Sequence, residues 1–190
     1  FFFKQKTAYE IRPRDWSSDV CSSDLIEAGI RSLRAGHTHY TSNYGTIELR
    51  RELAGYLERR YGVGYDPAAE VLITVGASEA LAVALAAIVD PGDEVILQDP
   101  TYVAYLPAVV FAGGTPVHVP TSPSDGWQLD PAAVEAAITP RTKALFLGYP
   151  SNPTGAVLDP APMAALAEIA RRHDLIVVSD EIYDRLVYGG

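Results

Sequence analysis

Two kinds of hydrophobic pattern alternate along residues 26–190. Segments with apolar residues at helical spacing are separated by short apolar runs that are typical of buried strands. The patterns predict helices at 26–35, 47–61, 78–89, 102–111, 131–138 and 162–173. They predict strands at 71–75, 94–98, 115–119, 143–147 and 175–179. Because helices and strands alternate and the strands are apolar on both faces, the sequence predicts a three-layer α/β/α fold with a mostly parallel sheet.

The first 25 residues have a different character. Polar residues break every apolar run after residue 3, and neither helical nor strand periodicity is present. The segment KQKTAYEIRPRDWSSDVCSSDL at 4–25 resembles the in-frame translation of a sequencing-library indexing primer. We therefore predict an artefactual or disordered leader at 1–25 and assign fold and function to residues 26–190 alone.

Charge and composition exclude several classes of function. The chain has 15 Lys and Arg against 24 Asp and Glu, a net charge of −9, so we expect no binding to nucleic acid. The longest apolar run, residues 80–89, is too short to cross a bilayer, so we expect no membrane contact. A single cysteine excludes an internal disulfide, and the four histidines have no metal-ligand spacing. We expect a cytoplasmic protein without a metal site.

Residues with ligand-binding chemistry follow the first two predicted strands. Parallel α/β sheets bind ligands at the carboxyl ends of their strands. Gly76, Ala77 and Ser78 form a small-residue turn that opens a helix, which suits a phosphate, although an ordinary Ser helix cap fits the same residues. Tyr102 follows the second strand, where its ring can stack on a flat ligand or pack at a helix start.

Two further polar residues follow later strands. Asn152 lies between prolines in the segment GYPSNPTG, where its amide can bind a ligand or complete a plain Asn-Pro turn. Asp180 follows the apolar strand at 175–179, and a carboxylate at that place needs a cationic partner or several donors. A protonated ring nitrogen satisfies this need, as does a capping role at the next turn.

Taken together and in this order, the motifs resemble those of one enzyme family. The segments HYTSNYGTIELR, VGASEAL, DEVILQDPTY, YPSNPTG and VVSDEIYDRLVY resemble the fold-type I pyridoxal-phosphate aminotransferases of class I/II. The residues in these motifs are most similar to those of the branch that contains aspartate, aromatic and diaminopimelate-pathway aminotransferases. The resemblance implies transfer of an amino group between an amino acid and a 2-oxo acid, with pyridoxal 5′-phosphate as cofactor. Residues 26–190 would then be a partial cofactor-binding large domain.

The resemblance also implies a role for each candidate residue. The turn of Gly76, Ala77 and Ser78 would bind the cofactor phosphate through main-chain N–H groups, and the cofactor ring would lie against Tyr102.

Four other residues take roles by the same resemblance. Asn152 and Tyr183 would donate hydrogen bonds to the phenolic oxygen of the cofactor, and Asp180 would pair with its pyridinium nitrogen. Tyr40 matches a tyrosine that reaches the phosphate of the neighbouring subunit, so the resemblance implies a homodimer.

One requirement of the family is not met by the residues of this chain. The mechanism uses a lysine that forms a Schiff base with the cofactor and moves a proton. The lysines here are Lys4, Lys6 and Lys143. The first two fall in the leader, and Lys143 begins a strand at the end away from the candidate site. We therefore assign no catalytic residue and expect a fragment that is inactive as given and binds the cofactor weakly at most.

Three alternatives remain open at this stage. Carbon–sulfur lyases, decarboxylases and cyclopropane-forming synthases share these motifs and the cofactor. Some transcription regulators carry the same fold as an effector-binding domain. The literal chain can also be a product of sequence assembly that has no function of its own.

Overall fold

The computed structural model describes residues 23–188. Within this range the chain divides into two compact units, 23–74 and 75–188. Residues 1–22, which carry most of the predicted leader, lie outside the description, and the predicted boundary at residue 25 stays a prediction. In chain order the elements are α1 (Ser23–Arg34), α2 (Ile47–Tyr61), α3 (Gly76–Ile88), β1 (Glu94–Asp99), α4 (Tyr105–Phe111), β2 (Thr115–Pro120), α5 (Pro131–Ala137), β3 (Thr142–Gly148), α6 (Pro160–Arg172) and β4 (Ile176–Asp180).

The first unit contains α1, α2 and an irregular segment that follows them. Gly62 caps helix α2, and its left-handed backbone lets its N–H group donate to the carbonyl of Glu58. The buried Arg50 donates from Nη1 to the carbonyl oxygens of Pro67 and Ala68, at 2.9 and 3.1 Å. Helix α2 therefore fixes the chain that follows it through a buried guanidinium.

The predicted strand at 71–75 is wrong. Residues 71–74 are irregular, and the N–H group of Ile73 donates to the carbonyl of Tyr44 at 3.1 Å. A strand needs a ladder partner, and this segment belongs to the first unit whereas the four described strands pair with one another in the second. Apolar residues alone did not distinguish an irregular segment from a strand.

The second unit is built on a four-stranded parallel sheet with the strand order β2-β1-β3-β4. The chain leaves β1 to form β2 on one side, then returns to form β3 and β4 on the other. The direction of winding therefore reverses between β1 and β3. In sheets of this kind the crevice at the carboxyl ends beside such a reversal is a preferred place for a ligand.

Helices cover both faces of this sheet, as predicted. On one face, α3 and α4 pack on strands β1 and β3 in a core of Leu81, Leu85, Val95, Leu97, Tyr105, Val109, Ala144 and Phe146. On the other face, α5 and α6 pack in a core that includes Ile96, Val119, Leu129, Val134, Leu145, Leu147 and Leu166. Val95, Ile96 and Leu97 alternate between the two cores, which shows why the middle of β1 is apolar at three successive positions.

Most predicted boundaries agree with the structure to within two or three residues, and two of the differences affect the candidate site. Helix α3 begins at Gly76, two residues before the predicted start, so Ser78 lies in its first turn and Val75 occupies the cap position. Helix α4 begins at Tyr105 instead of 102, because the residues before it form a turn in which the N–H of Tyr105 donates to the carbonyl of Tyr102.

A buried carboxylate ties the amino ends of β1 and β3 together. Glu94 accepts from the hydroxyl of Thr139 at 2.6 Å and from Nε of Arg141 at 3.1 Å. The hydrogen bond from Thr139 and the pairing with Arg141 hold the pKa of Glu94 below its ordinary value, against the opposing effect of burial. This cluster lies at the opposite end of the strands from the candidate site and has a structural role.

Candidate functional site

Four of the candidate residues lie at or just after the carboxyl ends of β1, β3 and β4: Tyr102, Asn152, Asp180 and Tyr183. These strands end at Asp99, Gly148 and Asp180, and all three run in the same direction. The register between β3 and β4 pairs Gly148 with Asp180. The segments after β1 and β3 therefore flank the reversal of winding, with Asp180 one strand further along.

The carboxylate of Asp180 is half-buried and accepts two hydrogen bonds. The phenol of Tyr105 donates to Oδ2 at 2.7 Å, and the N–H group of Ile182 donates to Oδ1 at 3.1 Å. A carboxylate has about four acceptor positions, so both oxygens keep capacity for a further donor. This side chain can accept a hydrogen bond from a cationic N–H group of a ligand.

Tyr105 is the centre of the candidate site, and sequence reasoning missed it. Its buried ring packs 4.2 Å from the ring of Phe146 and meets Tyr102 edge to face at 5.6 Å. Burial, followed by the negative charge and hydrogen bond of Asp180, raises the pKa of Tyr105 well above its usual range, with smaller effects from Tyr183 and Tyr102. Two predicted site residues, Asp180 and Tyr102, therefore contact one tyrosine that was not predicted.

A glycine makes this arrangement possible. A Cβ atom at Gly148 would lie 2.8 Å from Oη of Tyr105 and 3.0 Å from its Cε2, which is closer than non-bonded atoms approach. Only a hydrogen at position 148 leaves room for the Tyr105 ring. The sequence signals were available: Tyr105 follows Tyr102 by three residues, and Gly148 directly follows an apolar strand.

Tyr102 and Tyr183 follow strands β1 and β4. Tyr102 is partly exposed in the loop between β1 and α4, so one ring can contact Tyr105 and a ligand. Tyr183 is half-buried in the turn after β4, which is closed by a bond from the N–H of Leu186 to its carbonyl at 2.8 Å. The two tyrosines thus lie on segments that follow two different strands.

Asn152 lies on a well-anchored loop after β3. Its side chain is exposed, while the neighbouring Ser151 is buried and donates from its N–H group to the carbonyl of Ala156 at 2.8 Å. The buried Gln98 of β1 donates to Ser151 Oγ at 3.3 Å and to the carbonyl of Gly148 at 3.4 Å. The loop that carries the Asn152 amide is therefore fixed to the central strand.

The start of α3 has the chemistry of an anion site. Gly76 has a φ of +84°, which lets the chain turn into the helix, and Ala77 and Ser78 lie in the first turn, where helix N–H groups have no main-chain acceptor. The carboxylate of Glu79 accepts a hydrogen bond from the N–H group of Val75. Glu79 thus accepts from the N–H group of the residue that directly precedes the turn.

The eighth predicted residue, Tyr40, belongs to the other unit. It is fully exposed and lies between α1 and α2. Its proposed role involves a neighbouring subunit, so it remains a prediction.

The donors and acceptors present fit the cofactor that the motifs imply. A phosphate suits the first turn of α3, an aromatic ring suits the partly exposed face of Tyr102, and a protonated ring nitrogen suits the free acceptor capacity of Asp180. Within residues 23–188, no helix is both long and apolar enough to span a membrane. The same described range holds no group of three or more His, Cys, Asp or Glu side chains arranged to hold a metal ion.

Comparison with known proteins identifies the class. The aminotransferase class I and II family matches residues 13–190, and the chain belongs to this family. The family is one of pyridoxal-phosphate-dependent enzymes, and its fold is the three-layer α/β/α architecture described above. Both the family expected from the motifs and the predicted fold class are thereby confirmed.

Individual relatives define the comparison more closely. The chain is 48% identical over 164 residues to the aspartate/prephenate aminotransferase of Thermus thermophilus, covering 86% of this chain and 42% of that protein. The structure of N-succinyldiaminopimelate aminotransferase from Mycobacterium tuberculosis superposes with a TM-score of 0.83 at 45% identity, covering 86% of this chain and 43% of its own. An aromatic aminotransferase from Pyrococcus horikoshii gives 0.86 at 38% identity, with 88% and 45% covered. The chain therefore spans less than half the length of these relatives.

Proposed function

We propose that this chain is the cofactor-binding part of an aminotransferase that moves an amino group between an amino acid of the aspartate, aromatic or diaminopimelate type and a 2-oxo acid. The observation that supports this most directly is the Asp180 carboxylate, held by two donors at the carboxyl edge of the sheet. The relatives named above are all aminotransferases, which favours transamination over the lyase, decarboxylase and effector-domain alternatives.

In this proposal Asp180 holds a proton on the ring nitrogen of pyridoxal 5′-phosphate. When bound, the protonated ring serves as an electron sink for the substrate's α-carbon. A carboxylate favours the protonated ring because an opposite charge within hydrogen-bond distance stabilises the cation. Asp180 therefore acts by keeping the ring nitrogen protonated and does not itself contact the substrate.

The other candidate residues orient the cofactor. Ala77 and Ser78 bind the phosphate through first-turn N–H groups, where the helix dipole favours an anion. Tyr102 contacts the ring face, and Asn152 and Tyr183 donate to the phenolic oxygen. Binding through the phosphate fixes the orientation of the ring before the substrate reacts.

None of the three lysines in this chain serves as the Schiff-base residue in our proposal. Lys143 lies in β3, five residues before Gly148 and so about 16 Å from the candidate edge at about 3.3 Å per strand residue. That separation is longer than a lysine side chain. We infer that the chain alone binds the cofactor reversibly and does not catalyse transamination.

Cofactor binding by the purified chain tests the Asp180 assignment. We expect the chain to perturb the absorbance of pyridoxal 5′-phosphate on titration and the variant Asp180→Asn to weaken binding about tenfold, since a hydrogen bond to a charged group contributes about 1.5–3 kcal/mol. The matched control is Asp159→Asn, on the exposed chain before α6, which should bind as the parent does. Equal binding by the parent and Asp180→Asn would remove Asp180 from the site.

Borohydride trapping tests the lysine inference. After incubation with pyridoxal 5′-phosphate, reduction and peptide mapping, we expect no stoichiometric pyridoxyl group on Lys143 and no turnover of amino acids with 2-oxo acids. Specific labelling of Lys143 that the variant Asp180→Asn abolishes would contradict the proposal, because it would place this lysine within reach of the site.

We further propose that the enzyme is a homodimer in which Tyr40 reaches the neighbouring cofactor phosphate. The full exposure of Tyr40 supports this role, because its ring is available to another subunit. In the full-length enzyme, Tyr40→Phe should weaken cofactor binding without changing the dimer mass measured by analytical ultracentrifugation. A monomeric holoenzyme would exclude the arrangement. Cytoplasmic location also remains a prediction, to be tested by cell fractionation.

A further inference from the structure

We propose that Tyr105, packed over Gly148, is a positioning residue that fixes the Asp180 carboxylate for the ring nitrogen of the cofactor. This inference rests on the proposed function, because it concerns the same site. It goes further by assigning a role to two residues that contact neither the cofactor phosphate nor the substrate in our scheme.

The first step is the geometry at the carboxylate. Tyr105 and the N–H group of Ile182 donate to different oxygens of Asp180, at 2.7 and 3.1 Å. Two donors on opposite oxygens set the rotation of the carboxylate plane about the Cβ–Cγ bond. Both bonds are charge-assisted because a carboxylate accepts them, and the phenol bond is the shorter of the two.

The second step is the rigidity of Tyr105 itself. Its ring is held by Phe146 on β3, by the edge contact with Tyr102, and by the strand backbone at Gly148. The hydroxyl of Tyr105 therefore has a fixed position, because the ring that carries it is held by the core of the sheet. Replacing Tyr105 by Phe retains this packing and removes only the donor.

The third step connects position to binding. The strength of a hydrogen bond falls steeply as its angle departs from linear, so an N–H group held by other contacts needs its acceptor in one orientation. A carboxylate anchored by Ile182 alone is free to rotate away from that orientation. The Tyr105 hydroxyl thus acts on the ring nitrogen through Asp180 and not by direct contact.

The experiment uses the full-length enzyme and two ligands, pyridoxal 5′-phosphate and its analogue with carbon in place of the ring nitrogen. Dissociation constants are measured for the parent, Tyr105→Phe, Asp180→Asn and the control Tyr149→Phe. Tyr149 is an equally buried tyrosine whose hydroxyl donates to the Trp127 carbonyl at 3.0 Å, in the core on the other face of the sheet. It therefore reports the general effect of losing a buried phenol.

We expect Tyr105→Phe to weaken binding of pyridoxal 5′-phosphate about tenfold and to leave binding of the analogue within about twofold, as for Asp180→Asn. Tyr149→Phe should change neither. An equal loss for both ligands, or no loss, would show that Tyr105 is structural and would overturn the inference while the proposed function stands.

A parent enzyme that binds both ligands equally would instead overturn the role of Asp180, and the inference with it. If Tyr105→Phe does not fold, Gly148→Ala displaces the same hydroxyl and should show the same ligand selectivity. Equal affinity of folded Gly148→Ala and the parent for pyridoxal 5′-phosphate would then count against the inference.

Discussion

Replacing Gly148 by alanine should destabilise the second unit through a single steric conflict. The added Cβ would lie 2.8 Å from Oη, 3.0 Å from Cε2 and 3.3 Å from Cζ of Tyr105, whereas carbon atoms normally pack at about 3.5–4.0 Å. The ring must therefore retreat by about 0.5–1 Å, which would stretch the 2.7 Å bond to Asp180 beyond the usual limit of about 3.2 Å.

The magnitude follows from overpacking in a closed core. Tyr105 is buried and in contact with Phe146, so it has little room to move, and such insertions cost about 1–3 kcal/mol. We expect a loss of about 2 kcal/mol in the free energy of unfolding. For a chain of this size that corresponds to a decrease in melting temperature of about 4–8 °C.

Urea unfolding of the chain, followed by far-UV circular dichroism, measures the loss. The double variant Gly148→Ala with Tyr105→Phe removes the closest contact, so its destabilisation should be smaller than the sum of the single effects by about 1 kcal/mol. Gly29→Ala in α1 is the matched control, because no atom lies within 4 Å of its Cβ position and it should not destabilise the chain. A Gly148→Ala variant within about 0.5 kcal/mol of the parent would refute the reasoning.

Three further predictions follow from other parts of the chain. Because the pKa of Glu94 is lowered in the folded chain, its contribution to stability is present above about pH 4.5 and is lost as the pH falls through the folded pKa. Glu94→Gln should therefore cost about 1–3 kcal/mol in the free energy of unfolding at pH 7. In urea titrations at several pH values, the stability of this variant should also fall less steeply with acid than that of the parent. Burial, with a smaller effect of Asp125, raises the pKa of Tyr149 to about 12, so above pH 10 the unfolded chain loses this proton before the folded chain does. The free energy of unfolding should therefore fall between pH 10 and 12, and it should fall less steeply in Tyr149→Phe. An equal slope in the variant and the parent would contradict the assignment. Strand β4 lies at the edge of the described sheet, where Ile176 and Val177 are 39% and 44% exposed. An exposed apolar edge strand favours pairing with another chain, so light scattering should detect self-association that Val177→Lys reduces. Unchanged scattering by this variant would exclude the edge as the cause.

The strands of the sheet show which parts of the fold the local hydrophobic pattern can predict. Residues 95–97 and 144–147 are buried and apolar at every position, so these runs predicted strands correctly. The same kind of run at 71–75 predicted a strand that does not form, because pairing depends on a partner that local pattern does not reveal. The start of α4 was also predicted incorrectly, because a turn precedes the helix and the helix begins at Tyr105, three residues later than the helical spacing predicts.

The candidate site divides in the same way. Short local motifs that follow the strands in order were enough to predict the family, the fold class, the cofactor of the family and the residue types at each strand end. The hydrogen bond between Tyr105 and Asp180 joins residues 75 positions apart and is evident only in three dimensions. The same is true of the need for a glycine at position 148, where a side chain would displace the Tyr105 ring. The reason is that both facts depend on the register of β3 against β4 and on how α4 packs on the sheet, and local pattern specifies neither.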